Sequence, residues 1–169
     1  MRQPFFDPFA CSMHILYYAC MKLIPEKQLQ HWLNRLGFVL RRDLQIRFRQ
    51  HGIRLGAEEW AVLLLLWQKD NRTTGELADL TVKDQTTMTR LLDGLVRKDL
   101  LTRVPDPDDR RRVRIALSPQ GADMQSQLVP IALGLIQQSQ KGISTDDLQT
   151  TRRVLQQMTQ NMLEPEVEE

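Results

Sequence analysis

The sequence predicts a mainly helical fold with one small β-hairpin set among the helices. Three observations carry this expectation. Apolar residues recur at helical spacing, as in Leu29, Leu33, Leu36, Leu40, Leu44 and Phe48. The period changes at Val113, Ile115 and Leu117, which alternate with Arg112, Arg114 and Ala116 as in a strand. Capping and turn residues fall at the joints between these patterns. A length of 169 residues fits one domain.

Taken in order, residues 26–50 read as a long amphipathic helix, with Gly52 and Gly56 at its exit. Glu58 to Lys69 is a second helix, apolar nearly all round and therefore expected to be central and buried. Thr73-Thr74-Gly75-Glu76 is a capping-box pattern that opens a short helix carrying Leu77, Ala78 and Leu80. A turn through Val82 leads to Asp84, an N-cap, and to a helix over Gln85–Lys98 that buries Met88, Leu91, Leu92 and Leu95. Two short helices joined by a tight turn form a helix-turn-helix pattern. Leu101 to Val104 pairs with the alternating stretch across Pro105-Asp106-Pro107-Asp108-Asp109, which is turn chemistry. Residues 101–117 are thus a hairpin with a basic tip and outer face. Ser118-Pro119 starts a helix with Met124, Leu128, Ile131 and Leu135 on one face, and Pro130 is expected to kink it. Ser144 caps a last helix with Leu148, Leu155, Met158 and Met162.

Composition removes several classes. Apolar residues make 41% of the chain and charged residues 26%, ordinary globular values. Two cysteines make no disulfide scaffold, and neither CxxC nor HExxH occurs. His14, His31 and His51 lack ligand spacing, so no metal and no cofactor is expected. No glycine-rich phosphate loop and no readable nucleophile–base pair is present, so an enzyme is not expected. The longest apolar run, Trp60 to Trp67, is too short for a membrane span. The apolar stretch 9–24 is superficially like a signal peptide, but His14 and its aromatics interrupt it and no small-x-small site follows. It is read as retained, in a cytoplasmic protein with reduced thiols.

The net charge of +2 hides local asymmetry. Residues 21–54 hold eight basic groups against two acidic ones, and Arg110, Arg111 and Arg112 are consecutive. Residues 164–169 hold four glutamates that offset them.

The order of elements resembles the MarR family of winged-helix transcription regulators. The resemblance is most specific over Asp84 to Gly121. Asp84-Gln85-Thr86-Thr87-Met88-Thr89-Arg90-Leu91-Leu92-Asp93-Gly94-Leu95 is similar to the family's recognition helix. Asp106-Pro107-Asp108-Asp109-Arg110-Arg111, then Ile115-Ala116-Leu117-Ser118 and Gly121, is similar to its wing. Looser similarity covers about 26–163, and the first 20 residues lie outside it. Met21 is therefore an alternative start. Asp99 stands where the family usually has glycine after Lys98, a position expected to be left-handed.

The resemblance implies a DNA-binding lobe at about 57–117 and dimerisation helices at about 26–50 and 119–163. Residues 1–25 form an extension that can add to the dimer interface, and 164–169 an acidic tail. The expected partners are a double-stranded DNA operator and a second copy of the chain, with no membrane. Gln85, Thr86, Thr87 and Thr89 are short polar groups at a helix start, suited to base edges, and Arg90 can reach guanine or phosphate. In the wing, Asp109 matches the residue that orients a tip arginine, and Arg111 the one that enters the minor groove. Arg110 and Arg112 are assigned to phosphates or internal ion pairs.

The family often releases DNA on binding small aromatic acids, which makes a repressor on a pseudo-palindromic operator the expected function. The candidate ligand residues are Trp32, Leu36, Trp60, Leu64 and Trp67 as apolar walls, with Arg35 or Arg42 for a carboxylate. Residue by residue the plainer reading is stronger: Trp60 and Trp67 as core, and the arginines as a solvated helix face. Two alternatives stay open: a thiol-based redox regulator using Cys11 or Cys20, and a winged-helix interaction module that binds no DNA.

Overall fold

A computed structural model describes residues 25–107, 109 and 112–163. Cys11, Cys20, the apolar stretch 9–24, Arg110, Arg111 and the acidic tail lie outside the described residues. The chain falls into two units, Met1–Asp43 and Leu44–Glu169.

The first unit holds a 3-10 turn, Pro25–Lys27, and the beginning of helix α1, Leu29–Gln50. Its start is fixed by the Trp32 indole, whose Nε1–H donates to the Glu26 carbonyl at 2.8 Å. Further along, the Arg41 guanidinium lies 5.1 Å from the centre of the Phe38 ring, a cation–π contact on an exposed face. Trp32, Leu36, Phe38 and Val39 are all exposed apolar residues of this unit.

The second unit begins with the end of α1 and continues with α2, Ala57–Gln68. A two-residue strand β1, Arg72–Thr73, precedes α3, Thr74–Thr81, and α4, Gln85–Arg97. Strands β2, Leu101–Pro105, and β3, Val113–Leu117, make the hairpin. Helices α5, Pro119–Asp123, α6, Gln125–Ser139, and α7, Thr145–Leu163, follow.

The core of this unit is where the helical stripes meet the inner face of the hairpin. Phe48, Val62, Leu63, Leu66, Leu77, Met88, Leu92, Leu95, Leu101, Ile115 and Leu128 are fully buried. Burying such side chains contributes about 1.5–3 kcal/mol each, the dominant favourable term here. Aromatic rings extend the core: Trp60 sits 5.7 Å from Phe48 and 5.5 Å from Trp67, centre to centre. The all-round apolar α2 is buried on one side only, because Leu64 points outward and stays exposed.

Three further features differ from the sequence expectation. The hairpin gains a third strand, giving the antiparallel order β1-β3-β2 with Arg72 opposite Ile115 and Arg103 opposite Ile115 on the other side. Two residues are too few for any periodicity to reveal β1. The helix expected from Pro119 onward is divided at Met124, six residues before Pro130, which lies inside α6. The long first helix begins at Leu29, after the 3-10 turn.

Candidate nucleic-acid interface

Helices α3 and α4 and the turn between them are set by local hydrogen bonds. Thr73 caps α3: its Oγ1 accepts from the Glu76 N–H at 3.1 Å, and its own N–H donates to Glu76 Oε2 at 2.6 Å. The backbone N–H of Thr73 holds the Glu76 carboxyl below the usual carboxylate range. Val82 ends α3 in the left-handed region, φ 52° and ψ 48°, and the Lys83 N–H closes back on the Ala78 carbonyl at 2.9 Å. Lys83 then ties the turn to the start of α2 through Glu58, at 2.8 Å.

Asp84 caps α4 with both carboxylate oxygens. Oδ1 accepts from the Thr87 N–H at 2.8 Å and Oδ2 from the Thr87 hydroxyl at 2.7 Å. These bonds, the hydroxyl first, lower the Asp84 pKa. The Thr89 hydroxyl donates to the Gln85 carbonyl at 2.8 Å. Met88, Leu92 and Leu95 anchor the opposite face in the core. Gln85, Thr86, Thr87, Thr89 and Arg90, the five expected contact residues, are all exposed on the outer surface of this one helix.

The hairpin is joined to α4 by an ion pair between Arg103 on β2 and Asp93, at 2.6 Å. Near its tip, the Asp109 carbonyl accepts from the Arg112 N–H at 2.8 Å, and the two side chains form a loose pair at 3.6 Å. Arg112 is exposed and Asp109 half-buried. One ion pair that sequence reasoning missed lies behind the tip. Asp106 is buried, and its Oδ2 accepts from Arg114 Nε at 2.6 Å. In the sequence Asp106 reads as turn chemistry and as part of the wing motif, and Arg114 as part of a basic outer face; the pair depends on strand register, which carries no local signal.

The candidate ligand residues are divided. Trp32, Arg35, Leu36 and Arg42 are exposed on the first unit. In the second, Trp60 and Trp67 are half-buried in the aromatic chain, the Trp67 Nε1–H donating to the Gly121 carbonyl at 3.0 Å, and Leu64 is exposed. A cavity of about 440 Å³ in the second unit is lined by other residues, Gln45, Arg49, Arg54, Leu55, Gly56, Glu59 and Lys98. Glu59 there is paired with Lys98 at 2.6 Å. Among the described residues there is no group of side chains that could hold a metal ion, and no helix is long and apolar enough to cross a membrane.

Comparison with known proteins agrees with this geometry. Residues 55–113 match the model of the MarR family. An organic hydroperoxide resistance transcriptional regulator of Bacillus subtilis is 32% identical over 84 residues, 48% of this chain and 57% of that protein. The match thus spans little more than half the length of that curated relative. The structure of Bordetella bronchiseptica BpsR, solved to explain regulation of its DNA binding by 6-hydroxynicotinic acid, superposes with a TM-score of 0.71 at 25% identity. It covers 79% of this chain and 94% of BpsR. Apo MarR from E. coli superposes with a TM-score of 0.65 at 25% identity, over 78% of this chain and 96% of MarR.

Proposed function

We propose that this chain, which carries a MarR-family winged-helix domain and is no enzyme, is a sequence-specific DNA-binding transcription regulator. One observation carries the reading. The exposed polar start of α4 stands on a buried apolar face and is braced through Asp93 and Arg103 to a basic hairpin. A helix placed in this way can enter a major groove while the hairpin reaches the flanking backbone or minor groove. Gln85, Thr86, Thr87, Thr89 and Arg90 read base edges or phosphate, and Asp109 to Arg112 form the wing contact. The site of action is the cytoplasmic chromosome.

A single lobe reads a short half-site, so the active form is a homodimer on a pseudo-palindrome with half-sites about 10 bp apart. Exposed apolar residues on α6 and α7, among them Leu133, Ile136, Val154 and Met162, support a helical dimer layer. The regulator is a repressor released by a small aromatic or phenolic acid. Supporting this are the control of BpsR by 6-hydroxynicotinic acid and the cavity with Arg49 and Arg54, whose guanidinium groups suit a carboxylate.

Selection of bound sequences from random DNA tests the function. The expected result is an enriched two-fold site, bound less tightly by Arg90→Ala. No enrichment at low salt would leave the interaction-module reading in its place. Titrating 6-hydroxynicotinic and related acids into the complex tests release; unchanged affinity across such a panel would remove the ligand.

A further inference from the structure

Asp106 closes the inner end of the hairpin tip. Its carboxylate is among the few buried charged groups of the described residues, with a side chain only 4% exposed. A buried carboxylate is costly unless its oxygens are filled by donors. Here they are. Oδ1 accepts from the Asp109 N–H at 3.3 Å, and Oδ2 takes the Arg114 Nε–H at 2.6 Å. The Asp106 N–H in turn donates to the Arg112 carbonyl at 3.0 Å. Asp106 therefore grips both ends of the Asp109–Arg112 turn.

Arg114 ties that grip to the sheet. It lies on β3, the central strand, opposite Val104 on β2 and Thr73 on β1. Asp106 is two residues past Val104, so the pair is a diagonal cross-strand contact. The same guanidinium donates through Nη1 to the Asn71 carbonyl at 3.0 Å. Asn71 is left-handed, φ 61°, and its N–H is held by Asp70 Oδ1 at 2.8 Å. Asp70 Oδ1 also accepts from the Leu117 N–H at 3.0 Å. One planar, always charged fork thus joins the tip turn to the turn before β1.

We propose that Arg114 and Asp106 are positioning residues that hold Asp109 and Arg112, at the base of the hairpin tip, in the orientation in which Arg112 meets DNA. Arg114 is 29% exposed, and its Nε and Nη1 are both taken by protein acceptors, the buried carboxylate and the Asn71 carbonyl. The inference rests on the DNA-binding reading above. It adds that the affinity contributed by the tip depends on a pair that touches no nucleic acid.

A double-mutant cycle between the tip and the lock tests it, read by anisotropy on a duplex selected by the wild-type protein. Arg112→Ala alone removes a tip contact, expected to cost about fivefold or more in affinity and to reduce the salt slope by about one. Arg114→Met keeps the apolar stem and removes the fork. If Arg114 orients Arg112, Arg114→Met weakens binding at least as much as Arg112→Ala. Adding Arg112→Ala to it then changes neither affinity nor slope. Arg114→Lys, which keeps the charge but loses the planar fork, fails to restore binding. Asp106→Asn, nearly isosteric, behaves like Arg114→Met and serves where that variant melts early.

Multiplicative losses in the two single variants would overturn the proposal, since a general structural lesion or a direct phosphate contact acts independently of Arg112. Full rescue by lysine would overturn it too, by showing that charge alone matters. If the wild-type protein selects no DNA, both readings fall. If it selects DNA and the cycle is additive, only this one does.

Discussion

Val82 holds a left-handed conformation at the joint between α3 and α4, and its side chain is 73% exposed. A β-branched residue there is strained by about 1–2 kcal/mol, because its Cβ crowds the following carbonyl. Exposure means that little packing repays the strain. Val82→Gly should therefore raise stability by about 0.5–1 kcal/mol in urea unfolding, after glycine's own entropic cost. Gly121 is the opposite case. A Cβ there would sit 2.0 Å from the Leu100 carbonyl oxygen, which is backbone and accepts from the Ser118 N–H. Gly121→Ala should cost about 2–3 kcal/mol in the same measurement. Of these two residues, only the turn through Val82 was legible as structure in the sequence. Gly121 stands out in the sequence only as part of the wing motif, and its reason is a contact with Leu100, 21 residues earlier. Asp99, expected to be left-handed, has φ 56°.

The elements were legible in proportion to how locally they are determined. Thr73 with Glu76, Asp84 with Thr87, and Ser118 with Gly121 all close within three residues, so their capping bonds could be read from spacing alone. The five exposed residues of α4 followed, since the positions of Met88, Leu92 and Leu95 fix which face turns inward. The third strand, the outward Leu64 and the Asp106–Arg114 pair depend on how distant segments pack, which no window of sequence contains. The caps also carry a pH dependence. Glu76 and Asp84 have folded pKa values below their unfolded ones, so their contribution is present above the unfolded values and lost as pH falls through the folded ones. Local order in α3 and α4 should loosen below about pH 4, seen as rising amide exchange in the first turns. Asp84→Asn, which keeps the acceptor without the titration, should flatten that dependence at the start of α4. An unchanged acid profile in this variant would show that its cap does not govern the loosening.

At the scale of the molecule, α7 is the informative element. None of its residues is buried, and Val154, Met162 and Leu163 are exposed along with Leu133 and Ile136 of α6. A 19-residue helix with that surface is poorly stabilised alone, since helices in proteins draw most of their stability from packing. The dimer reading supplies the missing partner. Sedimentation at micromolar protein should give twice the 19.7 kDa chain mass. Ending the chain before Thr145 should yield a folded monomer with weak DNA binding, checked by circular dichroism and anisotropy. A monomeric full chain would remove the two-fold operator with it. The two-unit division at Asp43 falls within α1, which the sequence offered as one uninterrupted stripe.

The hydroxyl bonds on α4 have a consequence for what a reading helix can say. Thr87 and Thr89 spend their protons on their own helix, toward Asp84 and the Gln85 carbonyl. What they turn outward is a lone pair and a methyl group. In the major groove such a surface favours the amino groups of adenine and cytosine and the methyl of thymine, and offers nothing to the paired acceptors of guanine. Donation falls to Gln85, Thr86 and Arg90. On the proposed reading of α4 as the recognition helix, guanine falls to Arg90, and the amino groups of adenine and cytosine and the thymine methyl fall to Thr87 and Thr89. Replacing thymine by uracil within the site would silence part of that readout while leaving every phosphate in place.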